Sequence, residues 1–177
     1  IVVKSSPIVA DLDSDGVKEI YFGSDNEALH GYNSFGEEID GFPFQSTDRV
    51  RSSPAVGDVD NDGQMEIVFG NSSGKLYIVN HDGSQQLAYT ILGFIEGTPA
   101  LVDVDGDQDL EIVFTTTTTS GGQLYTVHHN GITMSGFPKE LGSMWTGPAV
   151  HDIDNDGVYD IVCTTYDKEI YAIDVNG

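Results

Sequence analysis

The chain has 177 residues, 38% of them hydrophobic and 21 of them glycine, with seven basic against 29 acidic side chains and a formal net charge of −22. So strong a negative field repels nucleic-acid phosphates and anionic membranes, and seven scattered cations cannot neutralise a phosphate backbone, so no nucleic-acid partner is expected. No apolar run reaches the roughly 20 residues that cross a bilayer, no membrane insertion is expected, and no signal peptide is recognised; an opening at Ile1 reads as a processed chain or a fragment.

In chain order, a short apolar run, Ile1–Lys4, is followed by Ser6-Pro7 and the stretch Ile8-Val9-Ala10. A small residue and proline return at Ser53-Pro54, Thr98-Pro99 and Gly147-Pro148, each four positions ahead of an acidic loop. After each loop comes a β-branched and aromatic run: Glu19–Gly23, Glu66–Gly70, Glu111–Thr115 and Asp160–Thr164. Short runs of this kind, bounded by turn residues, predict buried strands. A third strand is predicted at Leu29–Tyr32, Lys75–Val79, Gln123–Val127 and Glu169–Ile173, closed by Asp82-Gly83, Asn130-Gly131 and Asn176-Gly177 as hairpin turns. The fourth segment is the least regular. Gly41-Phe42-Pro43 and Gly136-Phe137-Pro138 match, while Leu87 to Phe94 replaces them in the second unit.

The first aspartates of the loops, Asp11, Asp58, Asp103 and Asp152, stand 47, 45 and 49 residues apart. About four strands in each such period, with no helical periodicity, predict an all-β protein, a β-propeller built of four-stranded antiparallel blades. The repeats run approximately 5–51, 52–96, 97–145 and 146–177, within a single domain over 1–177. The last unit stops after its third strand, so residues 1–4 could complete it and close a four-bladed ring. The alternative, which the reading favours, is a fragment of a seven- or eight-bladed ring or an open array.

Seventeen of the 29 acidic residues lie in the four loops, so the charge is concentrated where it can act. Positions 1, 3 and 5 are aspartate: Asp11, Asp13 and Asp15; Asp58, Asp60 and Asp62; Asp103, Asp105 and Asp107; Asp152, Asp154 and Asp156. Position 7 offers a backbone carbonyl (Val17, Gln64, Asp109, Val158), and position 9 another carboxylate (Glu19, Glu66, Glu111, Asp160). Converging hard oxygens around a sharp turn suit Ca2+, up to four ions, and argue against zinc or copper. An EF-hand is excluded, since position 12 is Phe22, Phe69, Phe114 or Cys163 and the flanks read as strands. In the third loop Gln108 stands where the others have glycine, and Gly106 comes earlier. A glutamine at a positive-φ position is strained, so this site is expected to be looser, differently turned or weaker.

The pattern Asp-x-Asp-x-Asp-Gly-x-x-(Asp/Glu)-Ile, preceded by Ser-Pro and followed by a strand, resembles the FG-GAP/VCBS repeat over essentially the whole chain. The resemblance implies calcium-bearing propeller blades of the kind found in integrin α-subunits and in bacterial surface and secreted proteins. It implies an extracellular or cell-surface location, where calcium is abundant, and loops that staple their blades.

Other residues invite functional readings that the pattern tempers. Cys163 follows a strand-like run and is expected to be buried and inert. His128-His129 sit where a strand meets a turn and read as solvated; His30 and His81 read as strand-end positions, and His151 as a packing or hydrogen-bonding residue before the fourth loop. Tyr32, Tyr77, Tyr125 and Tyr171 read as one repeated core position, whereas Trp145 has no counterpart and is the better candidate for ligand contact. Asn71-Ser72-Ser73 is a sequon, and Thr115–Thr119 a run that could carry O-glycans.

The function expected is a non-catalytic, calcium-stabilised propeller module for adhesion, ligand or glycan binding, or surface assembly, with a protein or glycan partner at the cell exterior. One alternative is the propeller domain of a secreted polysaccharide-degrading enzyme, for which Arg49, Arg51 and Lys139 are the few basic candidates. Another is a subunit of an extracellular filament that self-associates through open blade edges.

Overall fold

A computed structural model describes residues 1–176 as fifteen strands, and among them no helix occurs. The first sheet holds β1 (Ile8–Ala10), β2 (Glu19–Ser24), β3 (Ala28–Tyr32) and β4 (Phe44–Gln45). The second holds β5 (Ala55–Gly57), β6 (Glu66–Gly70), β7 (Lys75–Asn80) and β8 (Gln85–Thr90). The third holds β9 (Ala100–Val102), β10 (Glu111–Thr115), β11 (Gly122–Val127) and β12 (Lys139–Leu141), and the fourth β13 (Ala149–His151), β14 (Asp160–Thr164) and β15 (Ile170–Asp174). Within every sheet the strands pair antiparallel in chain order, so each repeat is one up-and-down sheet. The irregular fourth segment is a strand in all three complete sheets, the two Gly-Phe-Pro elements lying just ahead of β4 and β12.

Successive sheets pack face to face through a repeated exchange. The third residue of each second strand meets the second and fourth of the next. Tyr21 shares a core with Ile67 and Phe69, Val68 with Ile112 and Phe114, and Val113 with Ile161 and Cys163. A sheet has two apolar faces only if neighbours cover both, which is why β6 and β10 are buried at every position. The aromatic pairs Phe69–Tyr77 and Phe114–Tyr125 stack at centroid distances of 5.2 and 5.1 Å and fill these layers.

The end sheets are covered on one side only. Val9 and Ile20 of the first sheet are exposed, as are Ile170 and Ala172 of the fourth. Among the described residues no core cluster joins the first and fourth sheets, so the four blades do not close on themselves. Nor do residues 1–4 complete the fourth sheet, which stays three-stranded. They form no strand, and the Val2 carbonyl instead accepts the Asp25 amide in the first blade.

The register corrects two readings. Phe22 pairs with His30, as Phe69 does with Tyr77, Phe114 with Tyr125 and Cys163 with Tyr171. The repeated aromatic position is therefore His30, Tyr77, Tyr125 and Tyr171, and Tyr32 lies two residues further on. His30 is not at a strand end; it is buried mid-strand and stacks on Phe22 at 5.3 Å. The hairpin turns each carry one positive-φ residue, not the two of a two-residue type I′ turn. Only Gly83 and Gly131 take positive φ, in three-residue loops closed by Asn80–Ser84 and His128–Ile132 bonds. A third such turn, Asn33 to Glu37 with Gly36 at positive φ, went unread, and Asn176-Gly177 extends outside the described residues.

Candidate metal centres

Each acidic loop links the first and second strands of its blade, and its aspartates fold it. In the first loop Asp11 Oδ1 accepts the Asp15 amide at 3.1 Å and Oδ2 the Gly16 amide at 3.0 Å, while Asp15 Oδ1 accepts the Val17 amide at 2.7 Å. Asp58 repeats this with Asp62 and Gly63, and Asp152 with Asp156 and Gly157. Two residues per loop enter the left-handed region: Ser14, Asn61 and Asn155 at position 4, with φ of 56–63°, and glycine at position 6. Serine and asparagine are suited to position 4 because short polar side chains tolerate that conformation.

The third loop keeps this path. Gly106 at position 4 has φ 83° and Gln108 at position 6 has φ 84°, so glutamine occupies the conformation glycine holds elsewhere. Its side chain meets no neighbour because position 6 points outward, a Cβ on Gly16, Gly63 or Gly157 meeting nothing within 4 Å, so the strain is confined to the backbone of Gln108 itself. The one rearrangement is that Asp103 Oδ1 accepts the Gly106 amide, at 2.7 Å, instead of the amide at position 5. The loop is thus turned like the others.

Position 9 closes each site from below. Glu66 Oε2 accepts the Val59 amide at 2.9 Å, Glu111 Oε2 the Val104 amide at 2.9 Å, and Asp160 Oδ2 the Ile153 amide at 3.1 Å. Carboxylates from one loop come within 4.8 Å of one another in the sets Asp11, Asp13 and Asp15; Asp58, Asp60 and Asp62; Asp103, Asp105 and Asp107; and Asp107, Asp109 and Glu111. Burial, with Asp13 and Asp15 nearby, raises the Glu19 pKa; burial, against the Val59 amide but with the loop aspartates, pushes Glu66 up to about 7. Burial raises Glu111 as well, opposed by the Val104 amide and His128.

These donors fit calcium. Glu19 Oε2 and Asp60 Oδ1 are buried oxygens with no hydrogen-bond partner, an unfavourable state that a cation relieves. The crowded carboxylates would hold the ion, with the position-7 carbonyls of Val17, Gln64, Asp109 and Val158 as the neutral oxygens of the set. The ion would supply positive charge to a cluster that otherwise repels itself.

A family profile described as FG-GAP-like repeat matches residues 11–69, 58–114 and 103–163. The chain belongs to the FG-GAP-like repeat family. Each match runs from one acidic loop through the next, so the family pattern spans a loop, its blade and the following loop. Among solved structures, BBS1N in complex with ARL6DN is similar over all of this chain and 54% of that one, at 14% identity and a TM-score of 0.70. The Vibrio cholerae biofilm matrix protein Bap1 is similar over 96% of this chain and 30% of that one, at 20% identity and a TM-score of 0.62. The Pseudomonas aeruginosa PilY1 C-terminal domain follows over 84% and 36%, at 18% identity and 0.57. These likenesses carry the fold, a propeller-type stack of FG-GAP blades. The chain spans about half or less of the length of those structures. No curated protein matches it.

Beyond the FG-GAP loops, the geometry sorts the remaining candidates. His128 and His129 are not free in a turn: His128 Nδ1 lies 2.9 Å from Glu111 Oε1, and His129 Nδ1 lies 2.7 Å from Asp109 Oδ2. The spacing alone hid this, because opposition across β10 and β11 appears only once the register is known. His151 is exposed on β13. Asn71 cannot accept a glycan in this fold: it is fully buried and its Nδ2 donates to Ser46 and Thr47. Thr115, Thr116 and Thr117 are buried too, and Thr115 and Thr117 donate to the carbonyls of Thr146 and Met144, stitching the third blade to the fourth. Cys163 is buried as expected, and desolvation raises its pKa.

Arg51 is held between Asp25 and Glu96, and Arg49 lies against Asp48, while Lys139 lies over the Phe137 ring. Trp145 is 50% exposed and lines a shallow hollow of about 140 Å3 with Tyr166. A larger cleft of about 490 Å3 went unread in the sequence. It brings the exposed Phe35 and Asp40 and the half-buried His81 beside Asp13, Asp15 and Glu19 of the first loop.

Proposed function

We propose that this chain is a non-catalytic, calcium-stabilised propeller module of a protein that works outside the cell or at its surface, in adhesion, ligand or glycan binding, or assembly. The observation that carries the reading is the pair of buried, unpartnered carboxylate oxygens on Glu19 and Asp60, inside loops built to converge further oxygens. Such loops normally need the calcium concentrations found outside cells. One of the similar structures is a biofilm matrix protein, which agrees with an assembly role at the exterior. Ligand contact falls to what the blades do not share: Trp145 and the cleft beside Phe35. Titration calorimetry with calcium chloride tests this reading. Binding of three or four calcium ions per chain supports it, and no binding removes it.

The exposed end faces favour an extension of the same reading. Ile170 and Ala172 on one side, and Val9 and Ile20 on the other, stand at positions that are covered between the inner blades. Further blades, or a second copy, would cover them in an assembled surface protein.

A further inference from the structure

The residue opposite the position-9 carboxylate, across the second and third strands, differs among the four blades. Asn33 and Asn80 occupy that place in the first two and Asp174 in the fourth, by the register that pairs Tyr32 with Ile20, Asn80 with Glu66 and Asp174 with Asp160. In the third blade it is His128, the residue after Val127, which pairs with Ile112. Its Nδ1 stands 2.9 Å from Oε1 of Glu111, a fully buried carboxylate, and His128 is itself only 25% exposed.

One donor atom each from Asp105, Glu111 and His128 lie within 4.8 Å of one another, a spread that a single ion can span with bonds of about 2.0–2.4 Å. In the same loop Asp109 Oδ1 is a buried oxygen without a hydrogen-bond partner, while its other oxygen lies 2.7 Å from His129 Nδ1. Imidazole is a poor ligand for calcium, a hard cation that takes oxygen, and a good one for borderline ions such as zinc. Zinc accepts imidazole nitrogen and carboxylate oxygen in one site, with three protein ligands and a water completing four-coordination.

We propose that the third blade binds a zinc-class divalent cation through Asp105, Glu111 and His128, where the other three loops are calcium sites. The inference rests on the reading that these loops hold cations, but its donors are distinct, since the nitrogen is peculiar to this blade at that place. It also assigns the odd third copy a role: the loop keeps its path through Gly106 and Gln108, and its chemistry is changed from the opposite strand.

The test uses the whole chain with calcium saturating, titrated with zinc chloride, and in parallel with cobalt(II) chloride as a spectroscopic stand-in. The variant is His128→Asn, which installs the residue that blade two places opposite Glu66 and so keeps the local packing. His151→Asn controls for exposed imidazole. The wild-type chain and His151→Asn should each take one zinc that excess calcium does not displace, with a visible cobalt absorption band. In His128→Asn zinc affinity should fall by about tenfold or more, the cobalt band should vanish, and one additional calcium should bind. Equal zinc binding by His128→Asn, or displacement of zinc by calcium in the wild type, overturns the proposal. Calcium binding at the other loops is counted in the same titrations, so loss of the calcium reading shows separately as a chain that takes zinc but no calcium.

Discussion

Glu66 Oε2 accepts the Val59 amide at 2.9 Å, so the last carboxylate of the second loop also ties down its second residue. The side chain is 2% exposed, and burial with the loop aspartates pushes its pKa up to about 7. One group thus does two separable jobs, as backbone acceptor and as charge. Glu66→Gln keeps an acceptor and removes the charge; in EDTA its melting temperature should match or exceed wild type, while one calcium site is lost. Glu66→Ala orphans a buried amide and should lower stability by about 1–3 kcal/mol even in EDTA. Calorimetric titration and melts in EDTA separate the two; equal losses for both variants in EDTA would contradict the division.

Calcium should be a large part of the stability. Carboxylates about 4 Å apart repel by around 4 kcal/mol at an effective dielectric near 20. An ion at ten times its dissociation constant returns about 1.4 kcal/mol per site, or roughly 3–6 °C each for a chain of this size. A melt in calcium should therefore exceed one in EDTA by about 10 °C with several sites filled. An unchanged melt would remove the calcium argument.

The third loop offers a test of backbone strain free of metal. Gln108 sits at φ 84°, where a side chain costs roughly 1–2 kcal/mol, and Gly106 at φ 83°, where asparagine serves in the second loop. Exchanging them, Gly106→Asn with Gln108→Gly, should raise stability in EDTA by about 0.5–1 kcal/mol, because asparagine bears the left-handed conformation at less cost than glutamine while the number of glycines, and so their unfolded-chain entropy, is unchanged. Urea midpoints measure it. A loss would mean that the Gly106–Asp103 hydrogen bond, not the left-handed glutamine, decides the loop.

The blades and their loops were legible because they repeat. Period, Pro-Asp spacing and β-branched runs all answer to local chemistry, and four copies average out the irregularities. What escaped depends on pairing between strands. Tyr32 looked like a member of the tyrosine series, yet His30 holds that place, because register and not spacing sets what lies across a strand. His128 looked solvated for the same reason, although Glu111 faces it. Asn71 read as a sequon, but a three-residue pattern carries no information about the side chains of Ser46 and Thr47 that seal it.

The blades are also linked by an ion pair with a pH signature. Arg51, between the first and second blades, donates from Nε to Asp25 Oδ1 at 2.7 Å and from Nη2 to Oδ2 at 3.1 Å, and its Nη1 lies 3.7 Å from Glu96 Oε1 beyond the second blade. Hydrogen bonding to Arg51 holds the Asp25 pKa below the usual carboxylate value, and the same bond raises that of Arg51. A carboxylate depressed on folding stabilises the native state above its unfolded pKa, about 3.9, and loses that contribution as pH falls through the lower folded value. Asp25→Asn should therefore be less stable than wild type at neutral pH, and the difference should shrink as the pH falls below about 4. Urea midpoints of both proteins in EDTA across that range give the comparison, with calcium excluded so that only the ion pair differs. A gap that holds constant down to the lowest pH would show that Asp25 acts through packing and not through its charge.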